Sequence, residues 1–270
     1  MNRLSPLVLL LALALALGGC SRLKPKAVID NLTGPATLRV GVVSDAPPLA
    51  YKQNKELTGL EIRFAEGLAK SANKKLELVE LTAAELAPAL TSKKIDIAMA
   101  GLVGDKVRQQ GLAASAPYLD SGQVILVRLN NYKRLGVGTK ALKEKRVRIG
   151  VVSGSVGEIF VNSLKPQGVV NRYATAPQGV QALVDNGIDV FIHDLPSNLY
   201  YASVFVDKGL TPGKSLMTGE ELVWAVRPDN QEMLQAANAY LAAIHKSGEL
   251  QQMLDRAIPF YQNTAYSPKK

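Results

Sequence analysis

Two charged residues, Arg108 and Asp194, each stand just past the end of a strand-like apolar run. Arg108 lies in the stretch AGLVGDKVRQQ (100–110), where two glycines precede a short predicted helix that Asp105 is expected to cap. An arginine offers a planar fork of donors that matches a carboxylate, and a helix N-terminus offers backbone N–H groups to an anion. Asp194 is suited to accept an ammonium group. Together, the two residues predict a site for a zwitterion.

A structural role remains open for both residues. Arg108 also fits an exposed position on a solvated helix, and Asp194 also fits the N-cap of a helix that begins at Leu195 and Pro196. His193, beside Asp194, borders the same predicted site, either as a ligand contact or as a packed side chain.

The elements that must position these residues alternate between short apolar runs and helical patterns, which is typical of α/β folds. Val- and Ile-rich runs predict strands at 38–43, 76–81, 95–99, 123–128, 147–152, 188–192 and 222–226. Helical spacing predicts helices at 61–73, 83–93, 156–164, 177–186, 196–206 and 230–246.

The two halves of the chain repeat each other. LRVGVVSD (38–45) matches VRIGVVSG (147–154), and KIDIAMAG (94–101) shares its Ile-Asp pair and apolar run with GIDVFIHD (187–194). Because both matches occur in the same order, we predict two α/β lobes joined near residues 124–131.

Ligands of open α/β sheets bind beyond the carboxyl ends of the strands. The residues at those ends are Ser44-Asp45, the loop from Ala100 through Gly101 to Val103, the loop from Ser153 through Ser155 to Val156, and His193-Asp194. If the lobes face each other, these loops line one cleft.

The N-terminus reads as a secretion signal. Arg3 precedes an apolar run from Pro6 to Leu17, which is shorter than the ~20 residues of a bilayer-spanning helix. Cys20, the only cysteine, follows Leu17-Gly18-Gly19 and resembles the lipidated cysteine of a bacterial lipobox. We therefore expect a signal peptide at 1–19 and a lipidated tether at 20–37.

Composition excludes several classes of protein. A single cysteine cannot build a disulfide framework, and His193 and His245 lack the spacing of metal ligands. The formal charge is +9, but the lysines are scattered, and the one dense cluster, KEKRVR (143–148), contains no aromatic residues. We expect no nucleic-acid partner, no cofactor and no metal, and the serine in SGSVG (153–157) lacks the glycine spacing of a nucleophile elbow.

Across residues 38–261 the chain resembles the solute-binding proteins of family 3, the amino-acid receptors of ABC importers. The resemblance rests on LRVGVVSDAPPLAY, on LTGLEIRFAEGLAK, on NGIDVFIHDLP and above all on PYLDSGQV (117–124). It implies a type II periplasmic-binding-protein-like fold, in which each lobe is a mixed, mostly parallel sheet flanked by helices. It also implies a first lobe at 38–124 and 220–265, a second lobe at 125–219, and a second crossover near 216–222.

The resemblance assigns the ligand carboxylate to Arg108 and the ligand ammonium to Asp194. The chain departs from the family at three positions of the site. Ala46 replaces a stacking aromatic, although Tyr51 is near, and Val103 and Val156 replace hydroxyl residues, although Ser155 adjoins Val156.

The resemblance implies a monomeric, extracytoplasmic receptor, anchored to the membrane by lipid, that delivers a small amino acid or carboxylate to an ABC permease. Two alternatives stay open. One is a dehydratase acting on a prephenate-like acid with Glu158 as its acid, and the other is a sensory or cell-wall-associated lipoprotein.

Overall fold

The computed structural model describes residues 36–261. Cys20, the predicted signal peptide at 1–19 and nearly all of the predicted tether lie outside these residues, as do the last positions of the predicted first lobe. The strands are β1 Thr37–Val42, β2 Asp45–Ala46, β3 Ala50–Gln53, β4 Glu56–Thr58, β5 Lys75–Glu80, β6 Ile97–Val103, β7 Ala113–Ala114, β8 Leu119–Ser121, β9 Gln123–Arg128, β10 Arg148–Val152, β11 Val169–Tyr173, β12 Val190–Asp194, β13 Leu210–Pro212 and β14 Glu220–Val226. The α-helices are α1 Leu60–Ser71, α2 Ala83–Thr91, α3 Gly104–Gln109, α4 Tyr132–Leu135, α5 Thr139–Leu142, α6 Val156–Ser163, α7 Ala176–Val184, α8 Leu195–Val204, α9 Gln231–Ser247 and α10 Glu249–Ala257.

Two mixed sheets organise the described chain. The first has the order β5-β1-β6-β14-β7, with β8 also paired to β14, and the second has the order β11-β10-β12-β9-β13. β1 in the first sheet and β10 in the second each lie parallel to both of their neighbours, whereas the strand that follows a change of sheet, β14 or β9, runs antiparallel. The predicted α/β class with mixed sheets flanked by helices is confirmed.

The repeated sequence segments build the same ion pair in both sheets. In the first sheet Arg39 Nη2 lies 2.6 Å from Asp96 Oδ1, and its backbone N–H donates to Asp96 Oδ2 at 2.9 Å. In the second, Arg148 Nη2 lies 2.8 Å from Asp189 Oδ1, and its backbone N–H donates to Asp189 Oδ2 at 2.9 Å. The Arg and the Ile-Asp that match between the two halves are therefore the residues that hold the end of one central strand against its neighbour.

The chain changes sheets twice. Gly122 separates β8 in the first sheet from β9 in the second, and residues 213–219 lead from β13 back to β14. The two connections touch, because the backbone N–H of Gln123 donates to Thr218 Oγ1 at 2.7 Å and the N–H of Met217 donates to the Gln123 carbonyl at 2.8 Å. The first change of sheet thus falls two residues before the predicted boundary after residue 124, since the polar Gln123 already belongs to β9.

The sequence patterns did not predict several short elements. The hairpin-like sheet β2-β3-β4, the edge strands β7, β8, β11 and β13, and the helix α10 were not predicted. Within residues 36–261, none of the helices combines the length and the apolar surface that a bilayer-spanning helix requires.

Candidate functional site

A cavity lies where loops of the two sheets meet. Six residues predicted for the site line it: Gly101, Val103, Ser155, Val156, His193 and Asp194. Ala46, Leu49, Ala100, Gln123, Gly157, Glu220 and Leu222 complete the lining. The carboxyl ends of β6 and β12 therefore meet as the topology argument predicts.

A buried carboxylate shapes the first side of the cavity. Glu61, on α1, is fully buried and accepts the backbone N–H of Gly101 on Oε1 at 2.8 Å. The same carboxylate accepts the hydroxyl of Tyr118 at 2.6 Å and the indole N–H of Trp224 at 2.9 Å. Burial raises the pKa of the Glu61 carboxyl, although the three hydrogen bonds act in the opposite direction.

The backbone of Gly101 has a φ of +62°, in the left-handed region that glycine adopts at little cost. A side chain there would also collide with Leu49, whose Cδ1 lies 2.6 Å from the position of a Cβ. Glu61 was not singled out from the sequence, because it lies among the apolar residues of the buried face of α1. A lone acid at a core position of an amphipathic helix is the signal that could have found it.

The second side of the cavity is the start of α6. Ser155 caps this helix, since its Oγ accepts the backbone N–H of Glu158 at 3.1 Å. Val156 and Gly157, in the first turn, line the cavity. The positive end of a helix dipole therefore borders the cavity.

His193 and Asp194 form a close pair on the same side. His193 Nδ1 contacts both the backbone N–H of Asp194 and the Asp194 carboxylate. One nitrogen cannot accept the first bond and donate the second, and two lone pairs at this separation would repel, so we assign the proton to Nδ1 and the hydrogen bond to the carboxylate.

The pair shifts the pKa of both partners. Burial acts to lower the pKa of His193, but the charge and hydrogen bond of Asp194, with help from Asp45 and Glu220, raise it overall. Burial acts to raise the pKa of Asp194, but His193 and the hydrogen bonds from Ser197 lower it overall. Both shifts favour an imidazolium–carboxylate pair.

Asp194 also caps α8. Its Oδ1 accepts the backbone N–H of Ser197 at 3.0 Å, and its Oδ2 accepts the Ser197 hydroxyl at 3.1 Å. Asp194 therefore has the structural role of a helix N-cap that the sequence left open, and it also lines the cavity.

Gln123 and Glu220 are the polar lining residues that were not assigned from the sequence. Gln123 begins β9 and is 2% exposed, and Glu220 begins β14, so each follows one change of sheet. Gln123 Nε2 lies 3.3 Å from both Glu220 carboxylate oxygens, and the Thr218 hydroxyl donates to Glu220 Oε1 at 2.7 Å. The signal that could have identified Gln123 and Glu220 is a polar residue at the first position of a strand that follows a change of sheet.

Arg108 lies in a recess next to the cavity. Val103 and Glu220 border both spaces. The Arg108 guanidinium bonds to Asp105 at 2.9 Å, and its side chain is 53% exposed. The expected cap by Asp105 is wrong: the N-cap of α3 is Val103, and Asp105 lies in the first turn, where its carboxylate faces Arg108 instead.

Tyr51 does not line the cavity. Its ring packs against that of Tyr200, with 5.8 Å between centroids. Ala46 does line the cavity, so no aromatic ring occupies the lining position that the family resemblance assigns to one. Among the described residues, no cluster of His, Cys, Asp and Glu has a geometry that could hold a metal ion.

Solved structures with the same architecture include amino-acid-binding proteins. An ancestral cationic amino acid solute-binding protein superposes with a TM-score of 0.75 at 28% identity and covers 83% of this chain and 96% of its own. The binding component of an ABC transporter from Wolinella succinogenes DSM 1740, complexed with lysine, superposes with a TM-score of 0.77 at 26% identity, covering 83% and 96%. The fold and the cavity thus define a two-domain solute-binding protein.

The family follows from the sequence comparison. Residues 38–259 match the bacterial extracellular solute-binding proteins, family 3, and the chain belongs to that family. The L-cystine-binding protein TcyJ of Escherichia coli (strain K12) is 28% identical over 233 residues, which cover 86% of each chain. ABC transporter arginine-binding protein 1 of the same strain is 25% identical and covers 82% of this chain and 90% of its own. The membrane-bound lytic murein transglycosylase F of Aeromonas hydrophila is 24% identical over 80% of this chain but only 43% of its own length.

The Glu61 network predicts a specific cost for an isosteric change. Glu61→Gln turns one acceptor oxygen into an N–H₂ group that faces Trp224 or the pair Tyr118 and Gly101. We expect the free energy of unfolding to fall by about 2 kcal/mol, because a buried donor loses its acceptor. Urea unfolding followed by the emission of Trp224, the only tryptophan, measures the change.

Glu66→Gln, an exposed position on the same helix, is the matched control and should shift the free energy of unfolding by less than about 0.5 kcal/mol. Equal stability of the two variants would mean that Glu61 does not anchor the cavity wall.

Proposed function

We propose that this chain is the amino-acid receptor of an ABC importer and that it binds its ligand in the cavity between the two sheets. The observation that carries the proposal is the arrangement of Gly101 and Val103 opposite Val156, His193 and Asp194. Asp194 offers carboxylate oxygens to an ammonium group, and the first turn of α6 offers backbone N–H groups to a carboxylate. The relatives named for binding cystine and arginine, and the neighbour complexed with lysine, support an amino-acid ligand.

Arg108 supplies the second group for the ligand carboxylate in this proposal. Its bond to Asp105 joins two exposed side chains, and an exposed pair contributes about 0–1 kcal/mol, so releasing the arginine costs little. Its recess shares Val103 and Glu220 with the cavity, which leaves a short path for the guanidinium. Gly104 leaves room for the side chain, because a Cβ there would lie 3.1 Å from Arg108 Nη2.

The two connections at Gly122 and at 213–219 form the hinge in this proposal. Two lobes then close on the ligand: a first lobe formed by 38–124 with 220–265, and a second lobe formed by 125–219. The change of sheet at Gly122 moves the first boundary between them two residues earlier. The receptor acts as a monomer that presents its closed form to an ABC permease.

We also infer a lipid anchor at Cys20, which supports an extracytoplasmic, membrane-attached location. The lipobox-like sequence before Cys20 is the support. Cys20→Ala should leave amino-acid binding unchanged but release the protein from membranes, as measured by blotting of membranes washed at alkaline pH. A variant that stays membrane-bound after the wash would refute the anchor.

An enzymatic role is less well supported by the side chains. Glu158, the acid considered for a dehydratase, accepts the N–H of Gly154 at 2.7 Å and pairs with Arg172. The Gly154 bond and Arg172 lower the pKa of the Glu158 carboxyl, which disfavours it as a proton donor. A transport role is favoured over a cell-wall role because the binding proteins match along most of both chains, whereas the transglycosylase match leaves more than half of that protein uncovered.

The role of Arg108 is open to a direct test by calorimetric titration with the twenty amino acids. Arg108→Ala should weaken binding of the tightest ligand by roughly tenfold to a hundredfold, because a charge-assisted hydrogen bond to the carboxylate is lost. Arg108→Lys should restore only part of the affinity, because an ammonium lacks the planar fork.

Arg134→Ala is the matched control, since Arg134 is similarly exposed and pairs with Glu144 at 2.7 Å. Unchanged affinity in Arg108→Ala would leave Arg108 as a surface residue. No binding of any amino acid by the parent protein would reject the proposed function itself.

A further inference from the structure

Several donors in the polar lining of the cavity are already bonded within the protein. The hydroxyl of Ser155 donates to the Val152 carbonyl at 2.7 Å, and the N–H of Gly101 donates to Glu61, so both donors already have acceptors in the protein. The side-chain nitrogen of Gln123 is directed to Glu220. Among these residues the acceptor without a partner is Gln123 Oε1, and Asp194 and Glu220 add carboxylate groups to the lining.

Gln123 Oε1 is the clearest of these acceptors. It is buried and has no hydrogen-bond partner among the described residues. With Nε2 placed 3.3 Å from each Glu220 carboxylate oxygen, Oε1 is the atom of the amide that is left without a partner. Buried polar atoms nearly always have a partner, so an unpaired acceptor in the lining of a binding cavity points to a donor on the ligand.

The charges of the cavity are also unequal. The Asp194 carboxylate is matched by His193. Glu220 forms no ion pair within residues 36–261; Thr218 and Gln123, which are neutral, hold its carboxylate. Lys and Arg do not occur among the residues that line the cavity. No cation is bonded to Glu220, although Arg108 lies in the recess that Glu220 also borders, and burial raises the pKa of the Glu220 carboxyl.

We propose that Glu220, with Gln123 Oε1 beside it, is the specificity-determining contact for a cationic side chain of the ligand. The proposal rests on the proposed function and narrows its substrate class to amino acids whose side chain ends in a guanidinium or ammonium group. Asp194 takes the α-ammonium group, and Glu220 takes the second cation. A guanidinium or ammonium group supplies the donors that both Glu220 and Gln123 Oε1 lack.

A ligand cation at Glu220 would also lie between the two connections that join the sheets. Glu220 follows the second change of sheet, and Gln123 follows the first, so a cation between them contacts both connections at once. Binding of the ligand's side chain is thereby tied to the segments around which the sheets would move.

Calorimetric titration of the protein with arginine, lysine, glutamine and leucine tests the proposal. The parent should bind arginine or lysine at least tenfold more tightly than glutamine, which has a similar length but no charge. Glu220→Gln, which keeps the shape and removes the charge, should weaken the basic ligands by roughly tenfold to a hundredfold and change glutamine affinity by less than about threefold. Glu66→Gln makes the same change of net charge at a distant exposed position and should alter neither affinity.

The outcomes separate this inference from the proposed function. A parent that binds glutamine or leucine more tightly than arginine and lysine would overturn the role of Glu220 and leave the amino-acid receptor standing. Equal loss for charged and neutral ligands in Glu220→Gln would make Glu220 a structural residue of the crossover and would also overturn the role. If the parent binds none of the twenty amino acids, both fail together. If it binds arginine or lysine selectively and the selectivity disappears in Glu220→Gln, the assignment is supported.

Discussion

The carboxylate of Glu61 connects the core of the first sheet to the wall of the cavity. Burial raises the pKa of this carboxyl group, no cation pairs with it among the described residues, and its oxygens depend on the hydrogen bonds that they accept. Its three donors come from separate parts of the chain: the carboxyl-terminal part of β6 (Gly101), the segment before the first change of sheet (Tyr118) and β14 (Trp224). One side chain on α1 therefore fixes the relative placement of the elements from which the first side of the site is built.

This constraint also decides what the cavity can recognise. Because the N–H of Gly101 is committed to Glu61, the loop cannot offer that donor to a ligand. The hydroxyl of Ser155 and the side-chain nitrogen of Gln123 are likewise bonded within the protein. The donors that remain for a ligand carboxylate are the first turn of α6 and Arg108, whereas the acceptors outnumber them on the side of Asp194 and Glu220. A ligand that carries one carboxylate and more than one cationic group matches this distribution.

The sequence predicted the architecture well because the architecture depends on patterns that the sequence displays. The repeated Arg and Ile-Asp residues became two matching ion pairs, Arg39–Asp96 and Arg148–Asp189. The loops at the ends of β6 and β12 were predicted to meet, and they do. The strands β7, β8 and β13 were missed because two or three residues are too few to show a period, and β11 was missed because Asn171 and Arg172 interrupt its apolar residues.

The site was predicted less completely, for reasons that are specific to each residue. Glu61 and Gln123 are polar residues within buried elements, so their roles depend on partners more than 35 positions away in the chain. Glu220 carries no local signal beyond its place before an apolar strand. The family resemblance directed attention to Arg108 and Asp194, but it could not show that Arg108 bonds to Asp105 or that Asp194 is already paired with His193.

We propose that an amino acid binds between the two sheets, with its cations at Asp194 and Glu220. A crystal structure of the protein grown with its tightest-binding amino acid tests this most directly. We expect ligand density between Gly101 and Asp194, an ammonium nitrogen within hydrogen-bonding distance of Asp194, and a cationic side chain on Glu220 and Gln123 Oε1. Ligand density in another recess, or a bound amino acid whose side chain points away from Glu220, would contradict it.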